Sequence, residues 1–76
     1  MKVQLTLHGI LRDYLARTAK GRTTLDLPVG TTIEDVVSQL TIKQNVSAAV
    51  DGVEVENDYV LQDGEALHLF RFIAGG

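Results

Sequence analysis

Apolar and polar residues alternate from the start of the chain. Val3, Leu5 and Leu7 are separated by Gln4 and Thr6 and flanked by Lys2 and His8, the period of two that predicts a strand with one buried face. Gly9 ends it. Ile10, Leu11, Tyr14 and Leu15 then recur at helical spacing, with Ala16 and Ala19 adding helix propensity, so a short helix closed near Gly21 is expected. Thr23, Leu25 and Leu27 alternate with Thr24 and Asp26 as a second strand, punctuated by Pro28 and Gly30. The strongest helical signal is Thr31 to Leu40, where Ile33, Val36, Val37 and Leu40 fall at i, i+3, i+4 and i+7 and make one apolar stripe. Either Thr31 with Glu34 or Thr32 with Asp35 has capping-box spacing, and both acids sit where the helix dipole favours them.

A connector from Thr41 to Asn45 leads into the strand Val46-Ser47-Ala48-Ala49-Val50. Asp51-Gly52 suits the positive φ angles of a tight hairpin turn, and Val53 and Val55 begin the return strand. Glu54 to Asp58 is acidic and polar and reads as loop, and Asp63-Gly64 reads as a further turn. The final strand is expected from Ala66 to Ile73, with Leu67 and Leu69 on one face and His68, Phe70 and Phe72 on the other. The pattern fixes that split but not which half faces inward. Two strands before the main helix and the rest after it predict an α+β domain, a mixed four- to five-stranded sheet with one main helix packed across a single face. With the last strand paired centrally beside the first, the arrangement is a β-grasp. The expectation is one domain over residues 1–76, with a flexible tail at 74–76.

Composition narrows the function classes. With 45% hydrophobic against 22% charged residues, the chain has the balance of a packed domain and not of a disordered one. It has no cysteine, which removes disulfides and thiolate metal sites as staples for so small a core. The formal charge of −3 argues against nucleic acid as a partner. Basic residues are nevertheless concentrated between Arg12 and Arg22, read as a solvated helix face and loop, with a docking patch as the alternative. No continuous apolar run suggests a targeting segment or a membrane span, so a cytoplasmic protein is expected.

The last residues carry the most specific signal. Asp63-Gly64-Glu65-Ala66-Leu67-His68-Leu69-Phe70-Arg71-Phe72-Ile73-Ala74-Gly75-Gly76, an Asp-Gly turn and an apolar strand ending in Gly-Gly, resembles the ubiquitin-like sulfur carrier family. Its members include the small subunit of molybdopterin synthase and the thiamine-pathway sulfur carrier; ubiquitin itself shares the Leu-His-Leu run. The order of elements resembles the family over the whole chain, and Leu11-Arg12-Asp13-Tyr14-Leu15 is similar to the first helix of the molybdopterin-synthase subunit. That subunit typically has a proline pair before its tail, where this chain reads Arg71-Phe72; the ending looks more like the thiamine-pathway carrier.

The resemblance implies a β-grasp (ubiquitin-like) fold and a carrier acted on by other enzymes, not an enzyme itself. Gly76 is the implied point of covalent attachment, first as an adenylate and then as a thiocarboxylate. Gly75 and Ala74 give access, because residues without bulky side chains can enter a narrow channel. The implied partners are an E1-like adenylating enzyme using ATP and Mg²⁺, and a sulfur-accepting synthase of the thiazole synthase or molybdopterin synthase large-subunit type. A modifier conjugated through Gly76 to target lysines is the alternative.

The remaining residues offer no catalytic constellation: with no cysteine and only His8 and His68, there is no acyl-transfer triad. Both histidines are read as surface or partner-facing residues and not as metal ligands. Asp51, Glu54, Glu56 and Asp58 match no calcium-loop spacing. No cofactor, metal or membrane contact is expected of this chain. If Leu67 and Leu69 face the core, His68, Phe70 and Phe72 form an exposed cluster of the kind that marks a docking face; Arg71, which meets an acidic partner if the parity is reversed, completes the binding candidates.

Overall fold

The computed structural model describes residues 1–72. Five strands, β1 (Lys2–Leu7), β2 (Arg22–Asp26), β3 (Val46–Val50), β4 (Val53–Val55) and β5 (Ala66–Arg71), form one sheet in the order β2-β1-β5-β3-β4. The last strand lies at the centre, parallel to β1 and antiparallel to β3, and the outer pairs are antiparallel. This is the mixed β-grasp sheet expected from the element order. The one α-helix among the described residues, α1 (Ile33–Gln39), lies on the face to which the buried residues point.

Register explains the core. Val3, Leu5 and Leu7 of β1 share a face with Leu67 and Leu69 of β5 and with Ala48 and Val50 of β3. All seven are buried, together with Ile33 and Val36 of α1 and Leu11, Leu27, Ile42 and Leu61 from the connections. Each of the Val, Leu and Ile side chains, fully buried, contributes about 1.5–3 kcal/mol relative to exposure. Val37 and Leu40 complete the helical stripe at the edge of this core.

The helix is shorter than its apolar stripe. Thr31 turns its hydroxyl back to the Pro28 carbonyl at 2.7 Å, and its own carbonyl accepts from Leu61 N–H at 2.9 Å. That leaves Thr32 as the cap, in a reciprocal box with Asp35. Two first-turn donors are satisfied from outside the helix, Ile33 N–H by Tyr59 and Glu34 N–H by Asn57. At the other end Thr41 turns left-handed at φ 58 and stops the helix.

The expected first helix is instead two 3-10 helices, Gly9–Tyr14 and Arg17–Ala19. Only Leu11 is buried there, while Ile10 is exposed, so no continuous stripe exists to hold an α-helix. Tyr14 anchors the segment from the side, its hydroxyl donating to Gln44 Oε1 at 2.6 Å. Glu54, expected in a loop, lies in β4 opposite Ala49. The hairpin turn before it has φ 50 at Asp51 and φ 85 at Gly52, both left-handed as a two-residue hairpin demands. β5 ends at Arg71, two residues before the expected Ile73. Among the described residues, no helix is long and apolar enough to cross a membrane.

Candidate functional site

The face of the sheet opposite α1 carries the other half of each alternating strand. Thr6 stands opposite His68 in the β1–β5 register and opposite Arg22 in the β1–β2 register. Across β3, Ala49 stands opposite His68 and Ser47 opposite Phe70. The parity of β5 is therefore decided: Leu67 and Leu69 are 0% exposed, Phe70 is 40% and Phe72 is 51% exposed. Arg71 is exposed as well, near the end of the described chain. Of the expected binding residues, Phe70, Arg71 and Phe72 are open to a partner, and His68 is half-buried between Phe70 and the strands beside it. Gly76, Gly75 and Ala74, expected to carry and admit the chemistry, lie outside the described residues.

His8 and His68 meet, which periodicity does not show. His8 Nε2 and His68 Nδ1 are 2.8 Å apart, with ring planes inclined by 26° and centroids 5.1 Å apart. The rings thus meet edge to edge through one hydrogen bond, in which one nitrogen donates and the other accepts. The His8 ring also lies nearly parallel to that of Phe70, 4.4 Å away with 10° between planes. Burial of the His8 ring, the facing His68 and the field of Arg22 hold its pKa below 6.5. The neutral ring thus adds to an aromatic surface running from His8 over Phe70. Parallel pairing of β1 with β5 produces this contact, since it brings the residue after β1 beside β5, sixty residues away in sequence, where His8 N–H donates to the Leu69 carbonyl at 3.1 Å.

On the far side of the β1 end, the basic residues read as a solvated helix face and loop border two clefts. One, of about 290 Å³, is lined in part by Arg12, Arg17 and Lys20; the other, of about 310 Å³, by Arg12, Lys20, Arg22 and His8. Arg12 is set by Gly21, whose φ is +78 and whose carbonyl accepts from Leu7 N–H at 2.7 Å. A Cβ at Gly21 would stand 2.8 Å from the Leu7 carbonyl oxygen and 2.9 Å from Arg12 Cγ. Only glycine lets the arginine stem lie across the backbone there. Elsewhere, Tyr59 donates to Glu65 Oε2 at 2.5 Å, and that bond, with burial and the charge of Glu65, raises the tyrosine pKa. It fastens the segment after β4 to the start of β5 and builds no pocket.

The arrangement presents an aromatic and basic surface around the sheet end from which β5 continues toward residues 73–76. Among the described residues, no group of three His, Cys, Asp or Glu side chains could hold a metal ion. What the surface can do chemically is bind and orient.

Comparison with known proteins adds family and fold. A family model described as the ThiS family matches residues 10–76. A Pyrococcus furiosus protein described as molybdopterin converting factor subunit 1 is 20% identical, with a TM-score of 0.75 over 96% of this chain and 99% of that one. Small archaeal modifier protein 1 of Haloferax volcanii is 12% identical, with a TM-score of 0.73 over 95% and 98%. The complex of subunits 1 and 2 of molybdopterin-converting factor from Helicobacter pylori contains a chain 14% identical, with a TM-score of 0.63 over 100% of both. At these identities the likeness establishes a shared fold. Comparison with curated proteins gives no match.

Proposed function

The chain belongs to the ThiS family, the ubiquitin-like sulfur carriers, and on that premise we propose that it carries sulfur as a thiocarboxylate on Gly76 for cofactor biosynthesis. The observation that carries this reading is the extent of the family match, which runs through the glycine pair to residue 76. A carboxylate is a poor electrophile. In the proposed cycle a Gly76 oxygen attacks the α-phosphorus of ATP on an E1-like partner, and pyrophosphate leaves. A hydrosulfide-level sulfur nucleophile then attacks the acyl carbon, AMP leaves, and the thiocarboxylate remains. In the accepting synthase that sulfur attacks the substrate's electrophilic carbon, and water cleaves the resulting thioester to restore the carboxylate. ATP and Mg²⁺ belong to the activating partner, and this chain supplies the acyl group and the means of docking it.

In this reading Gly75 and Ala74 pass through the partner's channel, while Phe70, Arg71 and Phe72, with His68 behind them, form the docking face. Exposed aromatic side chains clustered beside an arginine support that assignment, since such residues dominate interface energetics. The accepting synthase is of the thiazole synthase or molybdopterin synthase large-subunit type. The Helicobacter pylori complex of two converting-factor subunits supports a synthase partner. Arg71-Phe72, in place of a proline pair, favours a carrier not restricted to the molybdopterin branch. The modifier fold among the neighbours supports a second reading, conjugation of Gly76 to target lysines.

Intact-mass analysis of the protein purified from its native host tests both. Exchange of one terminal oxygen for sulfur is the expected result; conjugates linked through Gly76 would establish the modifier instead. Neither species, with full function retained after deletion of Gly75 and Gly76, would sink the reading.

A further inference from the structure

The clefts beside β1 hold charge that the sulfur chemistry does not use. Four of the chain's seven Lys and Arg residues lie between positions 12 and 22, in a chain whose formal charge is −3. All four, Arg12, Arg17, Lys20 and Arg22, are exposed, and they border two clefts that share Gly9, Arg12 and Lys20. Asp13 is the one carboxylate in the lining. Among the described residues the ion pairs are confined to Asp26 with Lys2 and with the N-terminal amine, so no carboxylate there pairs with these four cations. Their backbone is nevertheless held: Leu7 bonds Gly21, and Lys20, left-handed at φ 54, donates its N–H to the Arg17 carbonyl at 3.2 Å. A fixed set of like charges without internal partners is costly to maintain and is complementary to an external anion.

Position identifies the occupant. Because β1 and β5 are parallel, the clefts open at the end of the sheet from which β5 leads toward Gly76. A protein that engages the end of β5 is therefore at the same end of the sheet as His8, which borders one of the clefts and stacks on Phe70. Nucleic acid fits less well. The net negative charge opposes a polyanion at long range, and the one ring among the residues lining the clefts, that of His8, is already stacked on Phe70. Guanidinium forks also suit carboxylates in bidentate pairs.

We infer that the two clefts around Arg12 and Lys20 are an electrostatic docking site for an acidic segment, a run of Asp and Glu side chains, on the protein that receives the tail. The identity of that protein rests on the carrier reading; the affinity of the clefts for carboxylates does not. Exposed pairs add little binding free energy each, so the site acts chiefly by steering encounter and fixing orientation, and salt weakens it.

Two measurements test this. In the first, the ¹⁵N-labelled full chain is titrated at low salt with acetyl-(Glu)₈-amide, and in parallel with poly(U). The expected result is saturable shifts of amides in residues 9–22 that fade as salt is raised and are lost in an R12Q/K20Q variant. An R17Q/K20Q variant, which leaves the packing of Arg12 on Gly21 intact, should lose them too. No localised shift, shifts elsewhere, or tighter binding of poly(U) overturns the inference. In the second, kcat/KM for adenylation by the cognate activating enzyme should fall roughly tenfold in R12Q/K20Q at low salt, and the gap should close at high salt. An enzyme that adenylates wild type and variant equally well at low salt refutes the docking site. One that does not adenylate the wild type refutes the carrier reading, and the peptide titration then decides the clefts alone.

Discussion

Replacing Gly21 with Ala should destabilise the fold far more than the same change at Gly52. Both glycines have φ in the left-handed region, +78 and +85, where an L side chain costs roughly 1–2 kcal/mol. The loss of chain entropy in the unfolded state is the same at both sites and cancels in the comparison. The difference lies in space. At Gly52 nothing lies within 4 Å of an added Cβ, whereas at Gly21 it would stand 2.8 Å from a backbone oxygen and 2.9 Å from Arg12 Cγ. The oxygen belongs to Leu7, whose own N–H is bonded to the Gly21 carbonyl at 2.7 Å, so β1 cannot withdraw without straining that bond. Overpacking of this kind typically costs about 1–3 kcal/mol. The totals are about 1–2 kcal/mol for Gly52→Ala and about 2–5 kcal/mol for Gly21→Ala. A 76-residue domain holds about 4–11 kcal/mol in all at ordinary stability per residue. Urea denaturation followed by circular dichroism measures both, and the midpoints should differ by about 1–3 M at a slope near 1 kcal/mol/M. Adding Arg12→Ala to Gly21→Ala should recover only the part due to Arg12, leaving the Leu7 oxygen as the residual clash. Midpoints for the two glycine variants that coincide would refute the account of Gly21 as the seat of Arg12.

Thr32→Ala removes the acceptor for Asp35 N–H at 3.2 Å and should cost about 1 kcal/mol by denaturation, whereas Thr31→Ala, whose hydroxyl bonds only the Pro28 carbonyl, leaves the cap in place. His8 has a folded-state pKa below 6.5, so as pH falls the unfolded chain takes up this proton before the folded one does. Stability tied to His8 is therefore full above 6.5 and is lost as pH drops below that value through the folded pKa. His8→Gln should flatten that acid limb in a series of urea midpoints, and an unchanged slope would refute the assignment. Phe70→Ala should lower affinity for the activating enzyme by about 1 kcal/mol or more in calorimetric titration, with a smaller loss of stability than Leu69→Ala, a 0%-exposed core residue whose truncation costs about 2–5 kcal/mol.

Local pattern accounts for much of this protein. Alternation over Val3, Leu5 and Leu7 and over Leu67 and Leu69 marks strand residues that lie buried at 0–2% exposure, and the Ile33–Val36 spacing marks the helix that covers them. Such signals survive in the sequence because i, i+2 and i, i+4 neighbours report burial without reference to the rest of the chain. The Asp51-Gly52 hairpin and the Gly-Gly ending are legible for the same reason: each is a property of adjacent residues. The segment after β1 misleads, because helical spacing at Ile10, Leu11, Tyr14 and Leu15 coincides with burial of Leu11 alone. Tertiary structure decided what no local pattern can carry. Parallel pairing of β1 with β5 joins His8 to His68 and Phe70, buries Leu67 and Leu69 while Phe70 and Phe72 stay exposed, and places the basic clefts at the same end of the sheet as the end of β5. Arg12 lies over Gly21 because a backbone bond from Leu7 draws the two segments together. The physical reason is common to all of these: register between distant strands is set by the packing of the whole core, and residues that share a surface across it have no fixed separation in sequence.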